Sequence, residues 1–221
     1  MKIRHTIVDL NPLSFTRIPS PIDTTWHNPE GWTYWFNDVA LSPDGNTAYV
    51  LAGGGDGHKF FYIDLNTTTV TTTISVDDFV LRDLTLSADG NTAYVAGTMG
   101  VIAIDLSTGA LSNNQGRDSN DVVISADGNT VYLTGSYPSA LQIIDVSDPA
   151  HLVFVTNIET SGYLVQLTLS DDGGTVYATQ INAFLQDDGS VGGSLQAIDL
   201  NAQSISQIAV PPNPWDIVLS P

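Results

Sequence analysis

The chain has 221 residues, and 42% of them are hydrophobic, which is enough to fill a sizeable core and argues against disorder. Its 24 Asp and Glu against 6 Lys and Arg give a formal net charge of −18, which should repel nucleic acids and anionic membrane surfaces. The sequence contains no cysteine and no apolar run of bilayer length, so disulfides, thiolate metal sites and direct membrane insertion are excluded.

The first twenty residues do not have the pattern of an export signal. Asp9 and Asn11 interrupt the apolar segment that follows Lys2 and Arg4, whereas a secretory signal needs an unbroken hydrophobic region. If the protein is exported, we expect its signal to have been removed already.

The next element in the chain is a pair of strands that recurs. Residues 36–50, FNDVALSPDGNTAYV, contain an alternating apolar and polar strand, a PDGN turn with Gly45 free to take positive φ, and a second strand. Nearly the same sequence returns as LRDLTLSADGNTAYV from 81 and SNDVVISADGNTVYL from 119. The segments FFYIDL (60–65) and VTTTISV (70–76) predict a second hairpin, so one repeat is four short strands.

Two positions mark the repeats, and each occurs five times. We call the first, near the start of the inner strand, the inner-strand mark; the second is an aspartate that ends the third strand. A period of roughly 40 residues with four strands per unit predicts a β-propeller, and the third-strand aspartates are expected to hold the following turn. The inner-strand marks are Asp38, Asp83, Asp121, Gln166 and Asp216, and the third-strand aspartates are Asp9, Asp64, Asp105, Asp145 and Asp199.

We therefore predict an all-β chain, a single five-bladed β-propeller of four-stranded antiparallel blades covering residues 1–221. The blade repeats start near 38, 83, 121, 166 and 216. The chain stops in WDIVLSP after a first strand and begins in a segment that matches a third strand. Residues 1–20 should therefore complete the last blade and close the ring, which removes exposed sheet edges.

The repeat carries a family resemblance. LSPDGNTAYV followed by FFYIDLNTTTVTTTISV resembles the YVTN-type propeller repeat, and ALQIIDVSDPAHLVFVTNIET (140–160) is similar to the related LVIVD repeat. Propellers of this group often have seven blades. They include cell-surface proteins, subunits of redox enzymes and, more distantly, lactonases, so the resemblance implies an extracytoplasmic location without naming an activity.

Propeller geometry predicts that all long connections lie on one face, and these are 23–37, 53–59 and 182–194. The first connection is rich in aromatic residues, which could stack on a sugar or surround a cation, or could pack as the loop's own small core. We expect a protein or carbohydrate partner on this face. The candidate ligand-binding residues are Trp26, His27, Trp32, Trp35 and Trp215.

The inner-strand starts suggest a second candidate site. Carboxylates that converge on a channel would repel one another unless a cation lies among them. The pairs in FND and SND are similar to the Asn-Asp pair of gluconolactonase-type propellers, which implies Ca²⁺ or another divalent metal as cofactor. In the other interpretation each aspartate accepts hydrogen bonds from backbone N–H groups of the neighbouring blade. The candidate metal ligands are Asn37, Asp38, Asp83, Asn120, Asp121 and Asp216.

Two functions remain open at this point. The first is a non-enzymatic extracytoplasmic binding or assembly module that uses the loop-rich propeller face. The alternative is a metal-dependent hydrolase of lactonase type with a divalent cation at the channel mouth, which would need an open coordination position and a base nearby.

Overall fold

The computed structural model describes residues 6–10, 13–17, 35–54, 57–76, 78–136, 139–185 and 191–209. These residues form seventeen β-strands, so the predicted all-β class is confirmed. Within them there is no helix with the length and apolarity needed to cross a bilayer. The chain divides into two compact units, Met1–Leu81 and Arg82–Pro221, and each is described by itself.

The first unit contains a hairpin and one complete blade. The hairpin pairs β1 (Thr6–Leu10) with β2 (Leu13–Arg17) in antiparallel register. It supplies the two N-terminal strands that the closure prediction requires, whereas residues 216–221 lie outside the described residues, so the fifth blade stays a prediction. Blade A has the sheet order β3 (Trp35–Leu41), β4 (Thr47–Gly54), β5 (Gly57–Asp64) and β6 (Thr69–Val76).

The second unit holds three further sheets. The strands of blade B are β7 (Leu81–Leu86), β8 (Thr92–Gly97) and β9 (Gly100–Asp105), in that order in the sheet. Two isolated bridges, Val101↔Gln115 and Ile104↔Leu111, stand where its fourth strand would run. Those of blade C are β10 (Val122–Ile124), β11 (Thr130–Ser136), β12 (Ser139–Asp145) and β13 (Val153–Glu159). Those of blade D are β14 (Tyr163–Leu169), β15 (Thr175–Leu185), β16 (Val191–Asp199) and β17 (Ser204–Ala209).

The blades of the second unit pack face to face. In β11, Val131 and Leu133 belong to a buried cluster with Tyr94 and Val101 of blade B, whereas Tyr132 belongs to a cluster with blade D. Because successive side chains of a strand point to opposite faces, one strand contributes to both cores. This is the packing that the four-strand repeat predicts, since each blade covers its faces only with its neighbours.

The turns at one end of the blades repeat almost atom for atom. In the first, Ser42 Oγ donates to Asp44 Oδ1 at 2.6 Å, and Asn46 N donates to the same oxygen at 3.0 Å. Gly45 has φ of 70°, as the PDGN turn predicts, and its N–H donates to Ser42 O. The same serine-to-aspartate bond recurs from Ser87 to Asp89, Ser125 to Asp127 and Ser170 to Asp172.

Four of the five third-strand aspartates hold the turns that follow them, as predicted, and the side chain of Asp9 lies outside the described part of the structure. Asp105 Oδ1 accepts hydrogen bonds from the backbone N–H groups of Ser107 and Thr108, both at 2.9 Å. Asp64, Asp145 and Asp199 accept equivalent bonds from the residues that follow them. We call the end of each blade that carries these turns the turn end.

At the opposite end two of the three predicted long loops are largely strand in their described residues, and most of the third, 23–37, lies outside the described residues. Segment 53–59 is not an open insertion, because β4 and β5 stay paired as far as Gly54↔Gly57. In segment 182–194, β15 and β16 shift register after Ile181↔Gly193 and pair again at Leu185↔Val191. An extended ladder satisfies backbone N–H and C=O groups that an open loop would leave to water, which explains the difference from the prediction.

Candidate functional site at the connection end

In an antiparallel blade the start of the inner strand and the connection between the second and third strands lie at the same end. We call this the connection end. Six of the eleven predicted site residues lie here within the described part of the chain, and the inner-strand ladder is irregular in blades A and D. In blade A the register shifts between Phe36 and Asp38, and in blade D between Leu164 and Leu167. Such bulges redirect side chains away from the sheet, so these positions differ from ordinary strand residues.

The carboxylates of two inner-strand marks bind the backbone of the following blade. Asp83 Oδ2 accepts a hydrogen bond from Val122 N at 3.0 Å, and Asp121 Oδ2 accepts one from Leu167 N at 2.7 Å. In both cases the donor is the residue immediately after the next inner-strand mark. Asp121 is only 8% exposed, so this contact satisfies a buried charge. For these two residues the interpretation as blade-to-blade connectors is therefore confirmed.

The metal-site hypothesis stays a prediction. Among the described residues no group of three or more His, Asp or Glu side chains is arranged to hold a metal ion. Asp38 lies in β3 opposite Leu51, and Asp216 lies outside the described residues. The amide of Asn37, the other predicted ligand of blade A, donates to Leu81 O.

The residues before three of the described marks, Asn37, Arg82 and Asn120, also contact the next repeat. Arg82 Nη1 donates to Asp118 Oδ1 at 2.6 Å, to Ser119 O at 2.9 Å and to Asn120 Oδ1 at 3.2 Å. Asn120 Nδ2 in turn donates to the Tyr163 hydroxyl at 2.7 Å. A line of hydrogen bonds thus runs across blades B, C and D, and we call Arg82, Asp118, Asn120 and Tyr163 the polar line.

The polar line is partly open to solvent. The side chains of Arg82 and Asp118 are 28% and 43% exposed, so their ion pair is screened by water. The line offers a guanidinium, a carboxylate, an amide and a phenol at one end of the second unit. Of these four residues the sequence analysis predicted only Asn120 as a site residue. Arg82 precedes the inner-strand mark Asp83 just as Asn120 precedes Asp121, and this equivalent position could have identified Arg82 from the sequence.

The aromatic candidates are less completely placed. Trp35 is the first residue of β3 and pairs with Gly53 of β4. Trp26, His27, Trp32 and Trp215 lie outside the described residues. Nearby in the sheet, His58 pairs with Gly53 and Val76, and burial lowers its pKa because desolvation disfavours the imidazolium.

Blade D carries a two-stranded projection at its connection end. β15 has 11 residues and β16 has 9, against 7 in β14 and 6 in β17. β14 pairs with β15 only as far as Tyr163↔Ile181, and β17 pairs with β16 only as far as Ser194↔Ala209. Residues 182–185 and 191–193 therefore extend beyond the four-stranded sheet, and we call them the ribbon.

Comparison with solved structures identifies the architecture. The chain is similar to Kuenenia stuttgartiensis hydrazine synthase, with a TM-score of 0.65 and 25% identity over 77% of this chain and 48% of that one. It is also similar to a candidate 6-phosphogluconolactonase from Bacteroides fragilis, with a TM-score of 0.56 and 19% identity over 80% and 54% of the two chains. Both neighbours are propeller-type folds.

The chain has the β-propeller fold. A functionally unknown protein from Desulfotomaculum acetoxidans is similar too, with a TM-score of 0.57 and 16% identity over 78% of this chain and 55% of that chain. The chain spans about half the length of the structures it matches. No protein-family profile and no curated protein sequence matches it, so the YVTN and LVIVD assignments stay predictions.

Proposed function

We propose that this propeller is a non-enzymatic extracytoplasmic binding or assembly module that contacts its partner through the connection end. The observation that carries the proposal is the ribbon, which extends beyond the sheet of blade D at the end where the polar line lies. A two-stranded ribbon is marginally stable alone, and ribbons or loops that grow beyond the needs of a connection are common contact surfaces.

The chemistry of the polar line supports a polar partner. Amide and phenol groups suit the hydroxyl groups of a carbohydrate or the backbone of a protein, and the Arg82–Asp118 pair adds charged groups of both signs. Asp83 and Asp121 have a structural role in this proposal, because both bind backbone N–H groups of the next blade. The net charge of −18 favours partners that carry positive charge.

The ribbon provides the sharpest test. Residues 182–192 are replaced by an Asn-Gly turn that joins Ile181 to Gly193, which are already paired across β15 and β16. The four-stranded part of blade D should keep its melting temperature, since every pair of β14 and β17 is retained. The matched control is Asn129→Ala in blade C. This residue lies at the turn end, whereas the ribbon lies at the connection end of blade D.

Binding is measured by tryptophan fluorescence with neutral and amino-sugar oligosaccharides, and by photo-crosslinking from position 163 in the native host. We expect a saturable signal with one of these probes that the shortened variant loses and Asn129→Ala keeps. A signal that survives ribbon removal would contradict the proposal.

The alternative function is a metal-dependent lactonase, in which Asp83 and Asp121 would hold a cation in addition to their backbone contacts. Calorimetric titration with Ca²⁺ and an assay with gluconolactone decide between the two. Hydrolysis that requires Ca²⁺ and is lost in Asp121→Asn would replace the binding module by the enzyme.

A further inference from the structure

Blades C and D carry equivalent glutamines that behave differently. Gln142 and Gln196 each lie three residues before the third-strand aspartate, and each is 1% exposed. Gln142 clamps the connection that enters its blade. Its Oε1 accepts from Arg117 N at 2.7 Å, and its Nε2 donates to Arg117 O at 3.1 Å and to Thr134 O at 3.2 Å. The amide of Gln142 is thus paired on both its oxygen and its nitrogen.

Gln196 does not repeat this clamp. The residue of blade D that corresponds to Arg117 is Gly162, because both lie four places before the inner-strand mark. Between Gln196 and this connection lies the side chain of Gln180, and a Cβ at Gly162 would collide with its amide. In blade C the place of Gln180 is taken by Gly135, where even a Cβ would approach the side chain of Gln142 to 3.3 Å. Glycine at that position therefore permits the direct clamp, and glutamine blocks it.

The amide of Gln180 gathers the polar groups of this region. Its Oε1 accepts from Gln196 Nε2, from Ser194 Oγ at 3.2 Å and from Ser161 Oγ at 3.5 Å. Gln207 Nε2 donates to Ser194 Oγ at 2.7 Å and adds a fifth neutral side chain. We call these five side chains, Ser161, Gln180, Ser194, Gln196 and Gln207, the amide cluster.

One buried atom of the amide cluster lacks a protein partner. Gln196 Oε1 is enclosed and makes no hydrogen bond with any described atom. The oxygen and nitrogen of a side-chain amide can be exchanged by turning the group over. If the amides of Gln180 and Gln196 are both turned over, the bond between them is kept, and Gln196 Nε2 takes the unpaired position that Oε1 held. An amide group of Gln196 therefore points at this spot without a partner in either orientation, and buried polar groups are rarely left in that state.

We propose that an ordered water molecule binds the outer amide atom of Gln196 inside blade D. Water suits the site because it can donate or accept, so it serves both orientations of the amide. Gln180, Ser194 and Gln196 are 1%, 4% and 1% exposed, so this part of the amide cluster is closed to bulk solvent. Since all five members of the amide cluster are neutral, nothing in it favours an ion over water.

The connections that enter the two blades are held differently. In blade C the Gln142 amide binds the backbone of Arg117, whereas in blade D Gln180 Oε1 and Gln196 Nε2 contact the Ser161 hydroxyl at 3.5 and 3.4 Å, and the water satisfies the remaining amide atom of Gln196. This inference does not depend on what the connection end binds.

The direct test is a crystal structure of the full chain that resolves ordered water. We expect a water oxygen about 2.6–3.2 Å from the outer amide atom of Gln196. A Gln196 side chain that turns to a protein partner, with no water at this spot, would overturn the proposal.

Variants provide a second test in solution. Gln180→Gly copies the glycine of blade C, so Gln196 should clamp Gly162 directly, the water should be displaced, and hydrogen exchange at Gly162 N–H should slow at least tenfold. Unchanged exchange together with a retained water would contradict the blocking role of Gln180.

The matched pair Gln142→Leu and Gln196→Leu keeps the proposal testable if Gln180→Gly does not fold. Gln142→Leu removes three direct bonds to the backbone, whereas Gln196→Leu releases a replaceable water and its bonds to side chains. We expect the melting temperature to fall by at least twice as much for Gln142→Leu. Equal decreases would count against the water site.

Discussion

The two ends of the blades differ in how closely they repeat. At the turn end, four blades use the same serine and aspartate pair to hold the first turn. At the connection end the corresponding residues before the inner-strand marks are Asn37, Arg82, Asn120 and Val165, and the three that are polar bind different partners. Repetition therefore maintains the sheet at one end, whereas variation at the other end produces a surface that is not symmetrical.

The difference follows from what each end must contact. A turn residue bonds within its own turn, so the same short sequence works in every blade. A residue at the connection end bonds to the next repeat, and its partner changes with that repeat. We therefore expect substitutions at the turn end to affect stability alone, and substitutions at the polar line to affect partner binding as well.

The largest effect should come from acid, because it acts on many turn-end carboxyl groups together. Hydrogen bonds from Ser42 and Asn46 lower the pKa of Asp44 to about 2, and bonds from Ser107 and Thr108 lower that of Asp105 to about 2. Similar bonds lower the pKa values of Asp89, Asp127, Asp145 and Asp172.

Since these groups bind protons less readily in the folded state, their stabilisation is complete above the ordinary pKa of 3.8 and is lost as the pH falls toward about 2. We expect the melting temperature to drop steeply through this interval in calorimetry. A variant with alanine at Ser42, Ser87, Ser125 and Ser170 should start lower and show a shallower drop. A melting temperature that stays flat from pH 4 to pH 2.5 would show that these bonds do not stabilise the turn end.

The next largest effect is expected at the connection end. Asp121→Ala leaves Leu167 N–H buried without its acceptor, which should lower the free energy of unfolding by about 1–3 kcal/mol in urea titrations. Asp121→Asn should cost less, because the amide oxygen can still accept. The control is Asp118→Ala, which breaks a solvent-exposed ion pair of about 1 kcal/mol or less. If Asp118→Ala proved the more damaging change, the ranking of the two contacts would be wrong.

A smaller effect is expected for Gly128→Ala at the turn end. Gly128 has φ of 75° and open space where a Cβ would lie, so the cost is the left-handed backbone alone, about 1–2 kcal/mol. Gly174→Ala is the matched control, because this glycine follows the positive-φ residue of its turn and a Cβ there would make ordinary contacts at 3.4 Å or more. Thermal unfolding of both variants should show a clear loss for Gly128→Ala and little change for Gly174→Ala.

The smallest effect on stability is expected for Tyr163→Phe. It removes the hydroxyl that accepts from Asn120 at 2.7 Å, in a partly exposed site where one hydrogen bond contributes about 0.5–1 kcal/mol. Partner binding in the fluorescence assay should weaken clearly, while the melting temperature falls only slightly. A variant that melts several degrees lower yet binds normally would place Tyr163 among the structural residues of the fold.

The sequence alone was sufficient to predict the strands, the turns and the blade as a unit. Its apolar and polar residues alternate with period two, its Asp-Gly turns stand at fixed places, and the third-strand aspartates recur. These are local relations, in which the interacting groups lie a few residues apart. For that reason the repeat pattern is enough to assign Asp105 to the turn that its carboxylate holds.

Only the tertiary structure decided what the inner-strand residues contact. The donors to Asp83 and Asp121 lie 39 and 46 residues further along the chain, and a carboxylate at that spacing is equally compatible with a metal or with a backbone N–H. The ribbon was hidden for a similar reason, since the segment 182–194 has the composition of a loop, yet residues 182–185 and 191–193 are strand in the two-stranded projection. Whether Gln142 and Gln196 clamp a connection depends on the residue two places beyond their register partner on the paired strand, Gly135 or Gln180. That neighbour is set by strand register rather than by sequence distance.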